Sequence, residues 1–194
     1  MKNLENYSIN KKKVLFRADL NIPVLNGKIS DVSRIVAIKQ SIQQLVTQQN
    51  KIFIVSHFGR PKGKIDKKYS LKFICPTLEK IFEVNKIYFL QSLDSKVILE
   101  KLNEVQYGEI CLIENIRFNP GEEKIDLIFS NFISNYFDVY VNDSFSASHR
   151  NHTSITGFPK YLPAVAGYSL INEIHNINLF LEKAEKPNIA VIGG

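Results

Sequence analysis

A chain of 194 residues, 44% hydrophobic and 23% charged, has the length for one large domain with its own core, or one with an appended piece, and the balance of a soluble globular protein. No apolar run approaches the roughly 20 residues of a membrane span, and the polar start Met1–Asn6 lacks a signal-peptide core, so a cytoplasmic protein without a membrane partner is expected. The net charge of +6 does not indicate a nucleic-acid partner, because only five of the 25 basic residues are Arg and the lysines are scattered along the chain as on a solvated surface.

Val14–Asp19 is the first strand candidate, followed by the irregular Leu20–Pro23 and a turn signal at Asn26-Gly27. Ser30 or Asp31 is expected to cap a helix running to about Gln48, whose Ile35, Ile38, Ile42, Leu45 and Val46 keep helical spacing. Lys51–Val55 is a short apolar, β-branched run that breaks at once into Ser56-His57-Phe58-Gly59-Arg60-Pro61-Lys62-Gly63. A strand ending in a rigid turn that carries a guanidinium and an ammonium presents positive charge at the carboxyl edge of a sheet, where open α/β sheets bind ligands.

A helix is expected within Leu71–Val84, with Pro76 near its first turn, then a strand over Lys86–Leu90 and a short helix over Ser95–Val105. Glu109–Ile113 is the fourth strand, leading into Glu114–Phe118 and a turn, Asn119–Glu123, in which Gly121 is expected at positive φ. A helix over Asp126–Phe137 precedes the strand Asp138–Asp143 and a long polar loop, Ser144–Ser154, of a length that usually serves a function. A last helix covers Ala166–Ala184. A sixth apolar strand, Ile189–Ile192, leads to Gly193-Gly194, where a ligand loop would ordinarily open, and the chain is expected to be cut there. Strands alternating with helices at these distances give right-handed βαβ units: an α/β fold, doubly wound, with a mostly parallel sheet and helices on both faces.

Cys75 and Cys111 lie in apolar segments without paired spacing, which fits buried, reduced thiols and argues against a disulfide or zinc site. The five arginines are more informative than the lysines, since Arg alone offers planar, bidentate recognition of carboxylate and phosphate. Four strands are followed by polar loops: Asp19 and Asn21, with Arg34 at the next helix; His57 and Arg60; Asn115 and Arg117; and Asn142, Asp143, His149 and Arg150. Parallel strands bring these loops to one edge, where unpaired like charges repel unless an anion joins them. Taken singly, each Arg could be a surface ion pair, and Arg17, inside a strand, could be the buried partner of a carboxylate. Together they imply a small polyanionic ligand. A metal held by His57, His149 and His152 is disfavoured by the shortage of carboxylates and thiols in that loop. Asp143 reads more readily as a loop-orienting cap than as a general base. No P-loop, Gly-x-Gly-x-x-Gly, zinc signature or serine nucleophile elbow is present.

Five ordered motifs carry a resemblance: Phe16–Pro23, Ile29–Ile35, Ser56–Gly63, Glu114–Glu123 and Val139–Phe145. Together they resemble the phosphoglycerate kinases, from about residue 10 to the last glycine. Leu20, Val32, Phe58, Ser146, Ser148 and Ser169–Asn172 depart from the family's usual choices. The resemblance implies a substrate-binding N-terminal domain over residues 1–164, an interdomain helix over 165–186, and over 187–194 the first strand of a nucleotide-binding domain. Arg17, Asp19, Leu20, Asn21, Arg34, His57, Phe58, Gly59, Arg60, Arg117 and Arg150 would bind 3-phosphoglycerate, and Arg34 would stabilise the migrating phosphoryl group. Mg-ATP or ADP would be bound mainly by the second domain, with its phosphate-contacting Lys just beyond Gly194. A monomer is expected. Alone, the chain would bind 3-phosphoglycerate weakly and show negligible kinase activity. The alternatives are a stand-alone anion-binding module without catalysis and, less well supported, a polynucleotide-binding protein.

Overall fold

The strands alternate apolar side chains between two faces, and that alternation builds two cores. In the computed structural model, which describes residues 1–183, the elements are β1 (Lys13–Ala18), β2 (Val24–Leu25), β3 (Lys28–Ile29), α1 (Ser33–Ala37), α2 (Lys39–Thr47), β4 (Lys51–Val55), α3 (Cys75–Phe82), β5 (Ile87–Leu90), α4 (Ser95–Glu104), β6 (Ile110–Ile113), α5 (Leu127–Ser134), β7 (Val139–Asp143), β8 (Ala164–Ala166) and α6 (Tyr168–Lys183). Val14 and Phe16 of β1, Ile52 and Ile54 of β4 and Leu112 of β6 join Ile42 of α2 and Leu78 of α3 in one core. Leu15, Phe53 and Cys111 point the other way and join Ile98 of α4 and Ile133 of α5 in the second. Each fully buried Leu, Ile or Phe contributes about 1.5–3 kcal/mol, so a sheet covered on both faces is strongly held.

Six strands form one sheet in the order β5-β6-β4-β1-β7-β8, and every pairing is parallel. The chain leaves β1 for β4 on one side, and later returns to β7 on the other. That reversal is the switch point at which doubly wound sheets open a crevice. β8 is an edge strand, and its free side is covered by the N-terminus, Ala166 bonding Lys2 and Leu4 through its backbone at 3.0 Å each.

Three expectations are corrected. The helix expected from Ser30 or Asp31 to Gln48 is two helices, α1 and α2, joined at Ile38 (φ −91°, ψ −2°). No Pro or Gly marks the break, and Ile35, Ile38 and Ile42 stay buried across it. Neither Ser30 nor Asp31 is its cap: the cap position is Val32, while the Asp31 carboxylate accepts from Ser33 N at 2.8 Å one residue earlier. Gly121 is not at positive φ. It is needed for closeness, since a Cβ there would lie 2.7 Å from Oδ2 of Asp126, the residue that caps α5 by accepting from Phe129 N at 2.9 Å.

Two strand pairs were not foreseen. The β2–β3 hairpin turns through Asn26 (φ 50°) and Gly27 (φ 73°), both left-handed as this tight hairpin turn demands, but its strands are too short to show alternation. β8 is three small residues after Pro163 and owes its place to pairing with β7. The expected strand Ile189–Ile192 lies outside the described residues.

Candidate functional site

The four central strands, β6, β4, β1 and β7, are adjacent, so the polar loops at their carboxyl ends, three of them cationic, meet at one edge. The loop after β4 is fixed first. Asn115, buried just past β6, donates from Nδ2 to Phe58 O (2.7 Å) and Tyr69 O (2.9 Å), while its Oδ1 accepts from Phe58 N (3.3 Å) and Arg117 N (3.1 Å). Glu114 accepts from Ser70 Oγ at 2.7 Å and Leu71 N at 2.8 Å, pinning the far end of the same segment. Gly59 turns the chain at φ 60°, and any Cβ there would come within 2.4 Å of the Tyr69 ring. Its amide donates to Asn21 Oδ1 at 2.9 Å and its carbonyl accepts from Arg117 Nη1 at 2.8 Å. The loops after β1, β4 and β6 are thus tied together through Gly59.

Beneath them lies a buried chain of polar groups. Arg17 sits at the end of β1 on the Leu15 side, 1% exposed. Its Nε donates to Ser154 Oγ at 3.0 Å, and Ser154 Oγ donates in turn to Glu122 Oε1 at 2.6 Å. The reading of Arg17 as the buried partner of a carboxylate holds, the carboxylate being reached through a hydroxyl, and its Nη2 also donates to His57 Nδ1 at 3.1 Å. His57 is pushed down to about 2, by burial first and then by Arg17, Arg117 and Arg150, with His152 adding to them. It is a neutral imidazole whose ring proton is on Nε2. Burial likewise pushes Glu122 up against the pull of Arg17, and pushes Arg17 down.

Arg117, 4% exposed, has Nε 3.2 Å from Glu123 Oε1 but not aligned with it, and that Nε has no hydrogen-bond partner. A buried, unpaired donor of this kind fits a site built for an acceptor from outside the chain. Arg150 is half-buried, and its charge is felt by Arg17, His57 and Arg117. Among the described residues neither Arg150 nor the exposed Arg60 has an ion-pair partner. Arg17 thus contacts His57, and the charges of Arg117 and Arg150 act on the same imidazole.

Arg34 stands apart from that group. Its Nη1 lies 2.6 Å from Asp19 Oδ2 and 3.1 Å from Asn21 O, and it lines a separate cavity of about 230 Å³ with Asp19 and residues at the start of α6. Asp19 also accepts from Ser146 Oγ, and Leu20 is placed by its amide donating to Ser56 Oγ at 2.8 Å. Phe58 contributes its backbone to the loop, while its ring packs on Phe73.

Sequence reasoning did not foresee Glu122 and Ser154. A Glu-Glu pair after Pro-Gly reads as a solvated turn, and the signal that would have singled it out is the need of Arg17, inside a strand, for a carboxylate. Asp143 behaves as the cap the sequence suggests. It is buried, accepts from Ser41 Oγ at 2.6 Å and from Leu170 N at 2.9 Å, and ties α2 to the first turn of α6. Burial pushes it up to about 6. Among the described residues no group of three or more His, Cys, Asp or Glu is placed to hold a metal ion.

The parallel sheet with helices on both faces and polar loops over its carboxyl edge makes this an α/β domain of the doubly wound class. The chain belongs to the phosphoglycerate kinase family, whose family model matches residues 4–194. It is 39% identical over 194 residues to the phosphoglycerate kinase of Orientia tsutsugamushi (strain Ikeda), covering 100% of this chain and 48% of that protein. Over 191 residues it is 38% identical to that of Wolbachia sp. subsp. Drosophila simulans (strain wRi), covering 98% and 48%. Among solved structures it resembles the phosphoglycerate kinase from Coxiella burnetii (TM-score 0.84, 34% identity, 99% of this chain and 48% of that one). It also resembles the one from Pyrococcus horikoshii OT3 (TM-score 0.86, 26% identity, 97% and 47%). The chain spans about half the length of the curated relatives it matches.

Proposed function

We propose that this chain supplies the 3-phosphoglycerate side of a phosphoglycerate kinase, which reversibly transfers a phosphoryl group between ATP and the substrate carboxylate in glycolysis. The observation that carries this reading is the neutral, buried His57 bracketed by three guanidiniums, one of which, Arg117, holds an unpaired Nε–H. Such a site is charged to receive an anion and already carries oriented donors. Arg17, Arg117 and Arg150 balance the phosphate and carboxylate charges, with Arg60 reaching from the exposed loop. His57 donates from Nε2. Asn21, whose Oδ1 is taken by Gly59 N, offers its Nδ2 to the ligand, and Asp19 with Leu20 shapes the turn that carries it.

A carboxylate nucleophile is already deprotonated, so no general base is needed. Its oxygen forms the new bond to phosphorus as the bond to the leaving ADP breaks, and this chain's part is to position and neutralise. Arg34, released from Asp19, is assigned to the migrating phosphoryl group. Mg-ATP or ADP is assigned to a second, nucleotide-binding domain, and no step is assigned to a metal on the described residues, whose carboxylates do not gather into a ligand set. The sheet through β8 acts as the substrate unit and α6, which starts at Tyr168 and not at the expected 165, as the connecting helix, in a cytoplasmic monomer.

Calorimetry with 3-phosphoglycerate tests this. The chain is expected to bind the substrate in preference to inorganic phosphate, and Arg117→Lys, which keeps the charge but loses the fork, to weaken binding about tenfold or more, equivalent to roughly 1.4 kcal/mol. Absence of binding at millimolar substrate sinks the reading. Appreciable turnover by the 194-residue chain alone, in a coupled assay with Mg-ATP, would remove the half-site assignment.

A further inference from the structure

A second concavity, of about 1040 Å³, opens between the β2–β3 hairpin and the segment Lys67 to Phe73. That volume accommodates a drug-sized molecule. Much of its surface is apolar: Val24 is 39% and Phe73 40% exposed, and the Phe73 ring pairs with Phe58 at 5.3 Å between centroids. Lys67 and Lys72 stand on its wall, both exposed, and among the described residues neither has an ion-pair partner. Aromatic faces next to ammonium groups without a carboxylate partner, Lys72 Nζ resting 6.0 Å over the Phe89 ring, are complementary to one kind of molecule, an apolar body with an anionic end.

We propose that this groove binds a small amphipathic anion, with a flat apolar body on the Phe58–Phe73 pair and a carboxylate, sulfonate or phosphate at Lys67 and Lys72, and that its occupancy is coupled to the arginine site across Tyr69. Tyr69 lines the groove, and its ring lies directly against Gly59, where an added Cβ would meet it at 2.4 Å. Gly59 holds Asn21 through its amide and Arg117 through its carbonyl. Asn115 grips Phe58 O and Tyr69 O with one amide group and Arg117 N with its oxygen. A ligand that shifts Tyr69 or Phe58 therefore moves the atoms that place Arg117. The coupling rests on the reading under Proposed function, whereas the groove itself does not.

The probe is 8-anilino-1-naphthalenesulfonate, a soluble aromatic anion whose fluorescence reports binding. Titration is expected to show one saturable site with a dissociation constant on the order of 10–100 µM, the range that ordinary ligand efficiency gives a molecule of this size. Phe73→Ala is expected to weaken binding about tenfold, and Lys67→Gln combined with Lys72→Gln several-fold. The two lysines are exposed, so their replacement should leave the melting temperature as in the parent, whereas Phe73→Ala, which loses the ring contact with Phe58, should keep the parent circular dichroism and melt a few degrees lower. Dye binding that is non-saturable, or unchanged in both variants, overturns the groove site. Saturating 3-phosphoglycerate is expected to shift the dye's affinity, and the dye to shift that of 3-phosphoglycerate by the same factor. No shift, with both ligands bound, overturns the coupling. Failure of 3-phosphoglycerate to bind at all overturns the functional reading and the coupling with it, while the groove is still judged on the dye titration alone.

Discussion

His57 accepts from Arg17 at Nδ1, so its one ring proton is on Nε2, where an incoming anion would need it. Burial and three neighbouring guanidiniums hold the ring neutral to about pH 2. Nitrogen-resolved NMR is therefore expected to show His57 as the Nε2–H tautomer with no titration between about pH 4 and 8, whereas an exposed imidazole titrates near 6.5. A midpoint near 6 at His57 would show that the guanidiniums do not face it. At this scale the sequence was legible where residue chemistry is rare. Of the five arginines, Arg17 bonds His57 and the charges of Arg117 and Arg150 act on the same ring, whereas Arg34, expected at the same edge, pairs with Asp19 instead. The carboxylate side was not legible. Glu122 is wholly buried, but its neighbours Gly121 and Glu123 read as surface, and only the fold brings Ser154 of a distant π-helical turn to its oxygen.

At the scale of elements, the loop after β4 has only short 3-10 turns at Lys67–Tyr69 and Lys72–Ile74, and its shape comes from the residues just past β6. Asn115 makes four hydrogen bonds to that loop and to Arg117 from a buried position. Asn115→Ala leaves Phe58 O and Tyr69 O without these donors, and removal of such a group is expected to destabilise the fold by about 2–4 kcal/mol, at roughly 1 kcal/mol per bond. Anion affinity should fall as well, because Phe58, next to Gly59, and Arg117 lose their common anchor. Chemical denaturation and calorimetry on the same variant check both parts, and a stable variant with parental affinity would show that the loop holds itself. The long strands were legible because Lys51–Val55 and its parallel neighbours are continuous apolar runs bounded by polar loops. β2, β3 and β8, of two or three residues each, are too short for any period, and the break at Ile38 falls within an unbroken helical pattern.

For the whole molecule, the sheet order that gathers the cations also buries two titrating groups of opposite effect, and acid stability should reveal them. His57 is lowered from 6.5 to about 2. Between those values the unfolded chain holds the proton and the folded chain does not, so this group makes stability rise with pH by about 1.4 kcal/mol per unit. Asp143, at the junction of α2 and α6, is raised from 3.8 to about 6. Across that window the folded chain holds the proton, so stability from Asp143 is present at low pH and is lost as pH rises. From about pH 4 to 6 the two slopes oppose. Asp143→Asn keeps an acceptor for Leu170 N but removes the falling slope, leaving that of His57. Relative to the parent, the variant's unfolding free energy should therefore climb by roughly 2 kcal/mol over that interval. Contributions from Glu122 and the exposed carboxylates are present in both chains and cancel in the difference. Urea unfolding at several pH values gives that difference directly, and a flat difference would mean that Asp143 is ionised throughout, its hydrogen bonds from Ser41 and Leu170 outweighing its burial.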